Sequence, residues 1–354
     1  MTPLNSLAFS KIRVLDGGLA TELEHRGADI SGPLWSAHVL DHAPSTIAAV
    51  HLDYLRAGAD CISTASYQIS ALGYRELAQP PAAEPIDPAR RAATALLHSV
   101  EIAEQTRALY ALECPRRVWI AASLGPYGAA LHNGAEYHGL YAIGFDDLVV
   151  FHSERLAVLA DTSVDFVAFE TIPSLEEALA ILRALEQTPA LSAWISFTCS
   201  DAAHVAHGER LRACAEALTR SPQIAAIGIN CTAPHLVAAL IAETRAGSEG
   251  CNEAQKQASK HKTLPVIVYP NSGEIWDAAS RTWHFDSRNF DSWHPGSIPG
   301  DAWHGESAVA HFGELARAWY AAGAQAVGGC CRTGPAHIGA VAEAARTAIS
   351  ASSS

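Results

Sequence analysis

Three cysteines at the ends of two apolar segments have the residue type and placement to bind one metal ion. Cys231 ends the run A-I-G-I-N-C, and Cys330 and Cys331 are adjacent in A-V-G-G-C-C-R-T. Each run has an apolar stretch, a glycine and then cysteine, as expected where a buried parallel strand ends. Three thiolates suit zinc, and a zinc ion with three protein ligands keeps a fourth position for a substrate. The pattern indicates an enzyme that activates a thiol.

The adjacent pair Cys330 and Cys331 is unusual for core residues, because neighbouring side chains on a strand face opposite ways. Gly328 and Gly329 precede the pair and let the backbone bend, so that both thiols can turn toward one ion. A vicinal disulfide is the alternative for this pair. The remaining cysteines are interpreted as small buried hydrophobic residues; they are Cys61, Cys114, Cys199, Cys214 and Cys251.

Strand-like and helical segments alternate along the whole chain. The predicted strands span 12–16, 60–64, 117–123, 165–170, 192–198, 224–231, 264–270 and 325–330. Segments with i, i+3, i+4 apolar spacing predict helices over 88–112, 145–161, 174–188, 206–219, 305–322 and 335–349. Eight β-then-α units favour a single (β/α)₈ barrel over its alternative, a doubly wound sheet.

Polar or metal-binding residues end most of the predicted strands. They are Asp16, Thr64, Ser123, Glu170, Thr198, Cys231 and Cys330. Active sites of β/α barrels lie at the rim formed by the C-terminal strand ends. We therefore expect these side chains to surround one site, with the metal at that rim.

One domain is expected over residues 1–354, with two inserted surface loops. The segment 246–263 is polar, and 285–303 is rich in Gly, Pro, Ser and Trp. By the order of the strands, 285–303 follows the seventh strand on the side of the site, and 246–263 precedes it at the far end. A frayed tail is expected over 350–354.

Composition excludes several classes of function. The net charge of −13, from 24 basic and 37 acidic residues, argues against nucleic-acid binding. No apolar run is long enough to span a membrane, and the first residues lack the features of a secretory signal. A cytoplasmic location with reduced cysteines is therefore expected. The sequence does not indicate an oligomeric state.

A series of longer motifs resembles the homocysteine S-methyltransferase family, most closely the bacterial branch that uses S-methylmethionine or S-adenosylmethionine. The resemblance covers about residues 11–347 and includes L-D-G-G-L-A-T-E-L-E at 15–24, H-L-D-Y-L-R-A-G-A-D at 51–60, T-A-S-Y-Q at 64–68, S-L-G-P-Y-G-A at 123–129, E-T-I-P at 170–173, W-I-S-F-T at 194–198, G-I-N-C at 228–231, V-Y-P-N-S-G-E at 268–274 and G-G-C-C-R-T at 328–333. It implies a distorted (β/α)₈ barrel in which Cys231, Cys330 and Cys331 bind zinc.

The implied reaction is methyl transfer from a small-molecule donor to the thiol of homocysteine, which yields methionine. A free thiol with a pKa of about 8.5 is mostly protonated at neutral pH, whereas a metal-bound thiol is deprotonated. Zinc is therefore the expected cofactor, and no general base is expected.

Homocysteine also needs an acidic partner for its ammonium group and hydrogen-bond donors for its carboxylate. The resemblance assigns Asp16 and Glu170 to the ammonium group. The alternatives are a salt-bridged rim carboxylate for Glu170 and a turn or helix N-cap for Asp16. The expected carboxylate donors are the backbone amides of Gly17 and Gly18 and the hydroxyl of Thr64. Asn230 is interpreted as orienting a ligand or substrate group, or as capping the next helix.

The methyl donor in this family is a sulfonium or quaternary ammonium ion, which aromatic rings and carboxylates hold best. The rim candidates, each also interpretable as a packing residue, are Trp35, Tyr67, Tyr127 and Tyr269. The segment 123–137 resembles the donor-binding loop of the sulfonium-using branch. Betaine is the alternative donor. A non-catalytic zinc-binding or redox-sensing barrel is the alternative from another class, and that protein is expected to lack the substrate carboxylates.

Overall fold

The computed structural model describes residues 9–30, 32, 34–76, 87–249, 263–273, 275–277, 282–284 and 305–352. Within these ranges, seven parallel strands form one sheet in the order β1-β2-β3-β4-β5-β6-β9. They are β1 (Cys61–Ser63), β2 (Trp119–Leu124), β3 (Phe166–Ile172), β4 (Ala193–Phe197), β5 (Ile224–Asn230), β6 (Val266–Tyr269) and β9 (Ala324–Val327). A separate antiparallel hairpin consists of β7 (Ile275–Asp277) and β8 (Thr282–His284).

Two residues near the N-terminus close this sheet into a barrel. Val14 pairs in parallel with Val327 of β9, and Leu15 pairs in parallel with Cys61 of β1. The two edges of the seven-stranded sheet are thus joined by a short eighth element. The predicted β/α barrel is confirmed, and the doubly wound sheet is excluded because the edges of such a sheet stay apart.

Several of the predicted strands are shorter than expected, the first and the last among them. The first, 12–16, is reduced to the bridges at Val14 and Leu15. The last, 325–330, ends at Val327. Hydrogen bonds nevertheless continue beyond it, since the N–H of Gly328 donates to the carbonyl of Val268 at 2.9 Å and the N–H of Gly329 donates to the carbonyl of Asp16 at 3.0 Å.

Twelve α-helices lie within the described ranges, and most of them surround the barrel. They are α1 (Leu19–His25), α2 (Trp35–His42), α3 (Pro44–Ala57), α4 (Ala71–Glu76), α5 (Pro88–Glu113), α6 (Tyr127–Ala130), α7 (Phe145–Leu159), α8 (Leu175–Leu185), α9 (Leu211–Leu218), α10 (Val237–Glu249), α11 (Glu306–Ala322) and α12 (Pro335–Ser352). Short 3₁₀ helices span Ala135–Tyr137 and Pro234–Leu236. None of the helices described is both long and apolar enough to cross a membrane.

Several predicted helix boundaries were wrong; the helix predicted over 174–188, for example, ends at Leu185. Helix α9 begins at Leu211 and not at 206, because the chain before it turns at Gly208 (φ +111°) and His204 pairs with Arg210. Helix α12 continues to Ser352, so 350–352 are helical, and 353–354 lie outside the described residues.

The predicted loop 246–263 begins too early, because helix α10 continues through its first four residues, 246–249. The described part of α10 reaches Glu249, and Gly247 within it packs closely on α9, where a Cβ atom would come 2.2 Å from the carbonyl oxygen of Arg212. Residues 250–262, and the whole predicted loop 285–303, lie outside the described residues.

The interior of the barrel is filled by side chains. Phe9 enters the barrel and packs edge-on against Phe166 and Trp194, with ring centroids 5.2 and 5.7 Å apart. A second, larger apolar cluster lies between the strands and the surrounding helices. Strands β2, β4 and β5 are buried along their whole length, as expected for parallel strands covered on both faces. A small molecule therefore has room at the strand ends and not inside the barrel.

Candidate active site

The thiols of Cys231, Cys330 and Cys331 meet at the C-terminal ends of β5 and β9. The Sγ atoms are 2.7 Å apart for Cys231 and Cys330, 3.6 Å for Cys231 and Cys331, and 3.9 Å for Cys330 and Cys331. The three sulfurs thus lie within 4.8 Å of one another and face one point, as metal ligands do.

Backbone contacts fix the position of these cysteines. Cys231 directly follows β5 and has a positive φ of 46°, a conformation that costs about 1–3 kcal/mol in a residue with a side chain. Its carbonyl accepts a hydrogen bond from the Thr198 hydroxyl at 3.3 Å. The N–H of Cys330 donates to the carbonyl of Pro270 at 2.8 Å, and the carbonyl of Cys331 accepts from the N–H of Ser272 at 3.2 Å. Cys231 is thus held by the residue that follows β4, and Cys330 and Cys331 by residues that follow β6.

The donor set fits zinc. Tetrahedral zinc with bonds of about 2.3 Å places its sulfur ligands about 3.8 Å apart. Two of the three sulfur separations agree, and the third, between Cys231 and Cys330, needs to open by about 1 Å. A hydrogen bond with Cys231, together with burial, holds the pKa of Cys330 well above its ordinary value. A divalent cation is the natural replacement for the thiol protons of such a crowded cluster.

Two buried carboxylates, Asp16 and Glu170, accompany the cysteines. Asp16 accepts hydrogen bonds from the backbone N–H and hydroxyl of Ser63, at 2.7 and 3.1 Å. Glu170 accepts one from the hydroxyl of Ser123 at 2.6 Å. Burial raises the pKa of Asp16 to about 8, and the nearby Glu170 adds to the increase. Burial also raises the pKa of Glu170 to about 7.

These carboxylates lack a permanent cationic partner within the described part of the chain, where no basic side chain forms an ion pair with either of them. The alternative of a salt-bridged Glu170 is therefore not observed. The N-cap of α1 is Gly18, and no side chain caps that helix, so Asp16 is not an N-cap either. A substrate ammonium group bound beside the pair would supply the missing cation and favour the ionised form of both carboxyl groups.

Two of the three expected carboxylate donors are already used within the protein. The N–H of Gly18 donates to the carbonyl of Thr333 at 3.0 Å. The Ser66 hydroxyl donates to the carbonyl of Ser123, so the Thr64 hydroxyl, 2.6 Å from it, must donate to Ser66. Gly17 passes against the ring of Tyr54, where a Cβ atom would come 2.8 Å from a ring carbon.

Asn230 holds the backbone beside Glu170. Its Oδ1 accepts from the N–H of Thr171 at 2.8 Å, and its Nδ2 donates to the Thr171 hydroxyl at 2.9 Å. Thr171 has a positive φ of 61°, so this residue needs such support. The next helix, Pro234–Leu236, has no side-chain cap. Asn230 therefore positions Glu170 through Thr171 and does not cap that helix.

The predicted donor-binding aromatics have different surroundings. Tyr67 lies near the cysteines: burial, the carboxylate of Glu136 and the thiol of Cys231 hold its pKa well above the ordinary value. Tyr269 points into the barrel, where its hydroxyl donates to Ser196 at 2.5 Å and accepts from the Trp194 indole at 3.1 Å.

Tyr127 and Trp35 complete this set. The ring of Tyr127 packs against those of Tyr141 and Phe151, at centroid distances of 5.4 and 5.2 Å. Trp35 is the first residue of α2, and its side chain lies outside the described part of the structure. Tyr67 and Tyr269 both have cysteines of the cluster as electrostatic neighbours, and Tyr269 also lies beside Glu170.

Sequence reasoning missed Glu136 and Tyr137, although both lie in the segment 123–137. Burial holds the pKa of Tyr137 well above its ordinary value, and Cys231 and Cys331 add to the increase. The available signal was an acidic residue beside a tyrosine, directly after the H-N-G turn.

A buried polar network under the segment 123–137 was also missed. Glu177 of α8 accepts hydrogen bonds from the N–H of Tyr127 at 2.6 Å, from Nε2 of His152 at 3.0 Å and from the hydroxyl of Tyr141. Arg155 donates to Nδ1 of His152 at 2.7 Å and to the carbonyl of Gly125 at 2.9 Å. The signal was two polar residues on the buried face of α7, at positions where its spacing calls for apolar ones.

Comparison with known proteins decides the family. The model of the family described as homocysteine S-methyltransferase matches residues 13–345. The chain belongs to the homocysteine S-methyltransferase family. It is therefore a methyltransferase, and the resemblance of its motifs is confirmed.

Several members of this family resemble the chain over nearly its full length. The homocysteine S-methyltransferase YbgG of Bacillus subtilis is 39% identical over 336 residues, which cover 94% of each chain. The homocysteine S-methyltransferase of Escherichia coli is 39% identical over 342 residues, 96% of this chain and 97% of that protein. The crystal structure of the homocysteine methyltransferase MmuM from E. coli, in a metallated form, superposes with a TM-score of 0.73 at 34% identity and covers 96% of this chain and 99% of that one.

Proposed function

We propose that this methyltransferase makes methionine by transferring a methyl group from a sulfonium donor, S-methylmethionine in the first place, to homocysteine held at a zinc ion. The observation that carries the proposal is the meeting of three thiols with two buried carboxylates at one rim of the barrel. The thiols suit zinc and a sulfur substrate, and the carboxylates suit the ammonium group of an amino acid.

Cys231, Cys330 and Cys331 would hold the zinc. Bound zinc supplies one kind of chemistry, which is to lower the pKa of the substrate thiol so that it reacts as a thiolate. The other contributions come from side chains of the chain. Asp16 and Glu170 bind the ammonium group, and Asn230 keeps Glu170 in place through Thr171.

The reaction is an in-line displacement at the methyl carbon. The homocysteine sulfur forms a bond to the methyl group while the bond from that carbon to the donor sulfonium breaks. The donor leaves as a neutral thioether, so the leaving group needs no proton. The chain's own part in this step is therefore to orient the two substrates at the strand ends.

The preference for S-methylmethionine follows from the size of the donor. Both sulfonium donors present the same reactive methyl group, so discrimination depends on the rest of the molecule. S-adenosylmethionine must also place an adenosine group, and the chain has no glycine-rich nucleotide-binding motif.

The test supplies the zinc-loaded enzyme with homocysteine and one donor at a time, S-methylmethionine, S-adenosylmethionine or betaine, and measures methionine. We expect kcat/KM to be highest for S-methylmethionine and betaine to be inactive. A tenfold preference for S-adenosylmethionine, about 1.4 kcal/mol of transition-state binding, would reverse the choice of donor. Robust activity with betaine would support the betaine alternative. Zinc binding without methionine from any donor would leave the non-catalytic barrel as the explanation.

A further inference from the structure

A buried carboxylate beside the cysteines lacks a partner for one of its oxygens. Oε2 of Glu136 is shielded from solvent and has no hydrogen-bond partner among the described residues. Leaving a shielded carboxylate oxygen unpaired is costly, and natural proteins keep few such groups without a functional reason. Neither Asp16 nor Glu170 shares this property, because both accept hydrogen bonds from serines.

Two tyrosines connect Glu136 with the cysteine cluster. The carboxylate of Glu136 and the thiol of Cys231 both lie close enough to Tyr67 and Tyr137 to raise the pKa of each tyrosine hydroxyl. Each ring therefore has the carboxylate and the cluster as electrostatic neighbours. Aromatic faces and a carboxylate are the groups that bind a cation lacking N–H donors.

The backbone around Glu136 is held firmly. Gly134 has a positive φ of 81°, and the N–H of Ala135 donates to the Asn133 side chain at 3.1 Å. Gly128 lies so close that a Cβ atom there would come 2.4 Å from the backbone nitrogen of Glu136. Past Tyr137 the chain runs over the end of β3, where a Cβ atom on Gly139 would come 3.2 Å from Pro173. The carboxylate is thus presented from a rigid turn at the same rim as Glu170.

We propose that Glu136, with the rings of Tyr67 and Tyr137, forms the subsite that recognises the positive charge of the methyl donor. The inference rests on the proposed function and adds the residue that selects a cationic donor over a neutral one. Asp16 and Glu170 serve the ammonium group of homocysteine, so the two substrates have separate carboxylates. The methyl group is only partly transferred in the transition state, so the donor sulfur still carries positive charge there, and the contact stabilises the bound donor and the transition state to a similar degree.

The test compares wild-type enzyme with Glu136→Gln, which keeps the shape of the side chain and removes its charge. We expect KM for S-methylmethionine to rise at least tenfold while kcat stays within about threefold, as for the loss of a contact made equally in the bound state and in the transition state. Zinc content and homocysteine affinity should not change. Asp146→Asn, an exposed carboxylate of α7, is the matched control and should keep the wild-type KM. Glu136→Asp keeps the charge and should recover part of the affinity.

A neutral donor separates charge recognition from other roles. Methyl iodide methylates homocysteine with iodide as the leaving group and carries no positive charge. We expect wild type and Glu136→Gln to react equally fast with it. Equal slowing with methyl iodide and S-methylmethionine would overturn the proposal, since Glu136 would then act on the thiolate or on the fold. An unchanged KM for S-methylmethionine in Glu136→Gln would also overturn it.

Direct binding distinguishes this inference from the proposed function. Calorimetric titration of the zinc-loaded, homocysteine-bound enzyme with S-methylmethionine should show weaker binding to Glu136→Gln than to wild type. If wild-type enzyme makes methionine but binds the donor no better than Glu136→Gln does, the proposed subsite is refuted and the proposed function stands. Wild-type enzyme that neither binds the donor nor makes methionine would overturn both.

Discussion

Removing the Glu177 side chain is expected to destabilise the protein strongly. Glu177 accepts hydrogen bonds from Tyr127, Tyr141 and His152, and Arg155 reaches it through His152. Burial lowers the pKa of His152 to about 4, so its ring is neutral at pH 7. The neutral ring accepts from Arg155 at Nδ1 and donates to Glu177 at Nε2, which makes Glu177 the anion that balances a buried arginine.

The magnitude follows from what Glu177→Ala leaves behind. Each buried donor without an acceptor costs about 1–3 kcal/mol. Removing one partner of a buried ion pair typically costs about 3–5 kcal/mol of stability. The penalties within one network are not additive, so they cannot simply be summed. Burial already lowers the pKa of Arg155 to about 9, opposed by Glu177. We therefore expect a loss of about 3–5 kcal/mol in the free energy of unfolding, a large share of the stability of a typical domain.

Urea unfolding at pH 7, followed by circular dichroism, measures the effect. Glu177→Gln keeps the side-chain shape and should lose less stability than Glu177→Ala. Glu176→Ala, its exposed neighbour in α8, is the matched control and should change the unfolding free energy by about 0.5 kcal/mol or less. A loss below about 1 kcal/mol for Glu177→Ala would refute the argument that this network carries a buried charge balance.

Three further predictions concern the site itself. Single Cys→Ser variants of Cys231, Cys330 and Cys331 should each lower the zinc content measured by metal analysis, and a full zinc load in all three would disprove the metal site. Glu170→Gln should keep zinc but weaken homocysteine binding by about 1.5–3 kcal/mol. Only the ionised carboxylate attracts an ammonium group, so burial, which raises the pKa of Glu170 to about 7, predicts that wild-type affinity falls as pH drops through 7. Titrations from pH 6 to 8 should show a steeper fall in wild type than in Glu170→Gln, where only Asp16, whose pKa burial raises to about 8, still titrates. Gly18→Ala places a Cβ atom 2.5 Å from the carbonyl oxygen of Cys330, so it should cost about 1–3 kcal/mol of stability and loosen zinc. Gly32→Ala, where a Cβ atom meets nothing within 4 Å, is its control, and equal unfolding midpoints for the two would contradict the packing argument.

The sequence by itself determined the barrel and the meeting of the cysteines. The spacing of apolar residues within each segment shows which face of that segment is buried, and this signal is local. Eight β/α units could therefore be counted without coordinates. Parallel strands of one barrel end at the same rim, so Cys231 and Cys330 had to approach each other once the strands were assigned. The predicted boundaries of α9, α10 and α12 were wrong because local composition locates the ends of an element poorly; α9, for example, is preceded by a turn at Gly208 that the apolar spacing does not reveal.

Only the tertiary structure decided how the polar groups are paired. The N–H of Gly18 and the hydroxyl of Thr64 were expected to face a substrate, yet Gly18 bonds Thr333, 315 residues away, and Thr64 bonds Ser66. Asn230 proved to hold Thr171, and Glu136 proved to keep one oxygen unpaired. Hydrogen bonds depend on distances of a few tenths of an ångström between residues far apart in sequence. No local pattern encodes those distances, so the pairing of each polar group emerges only when the packed elements fix it.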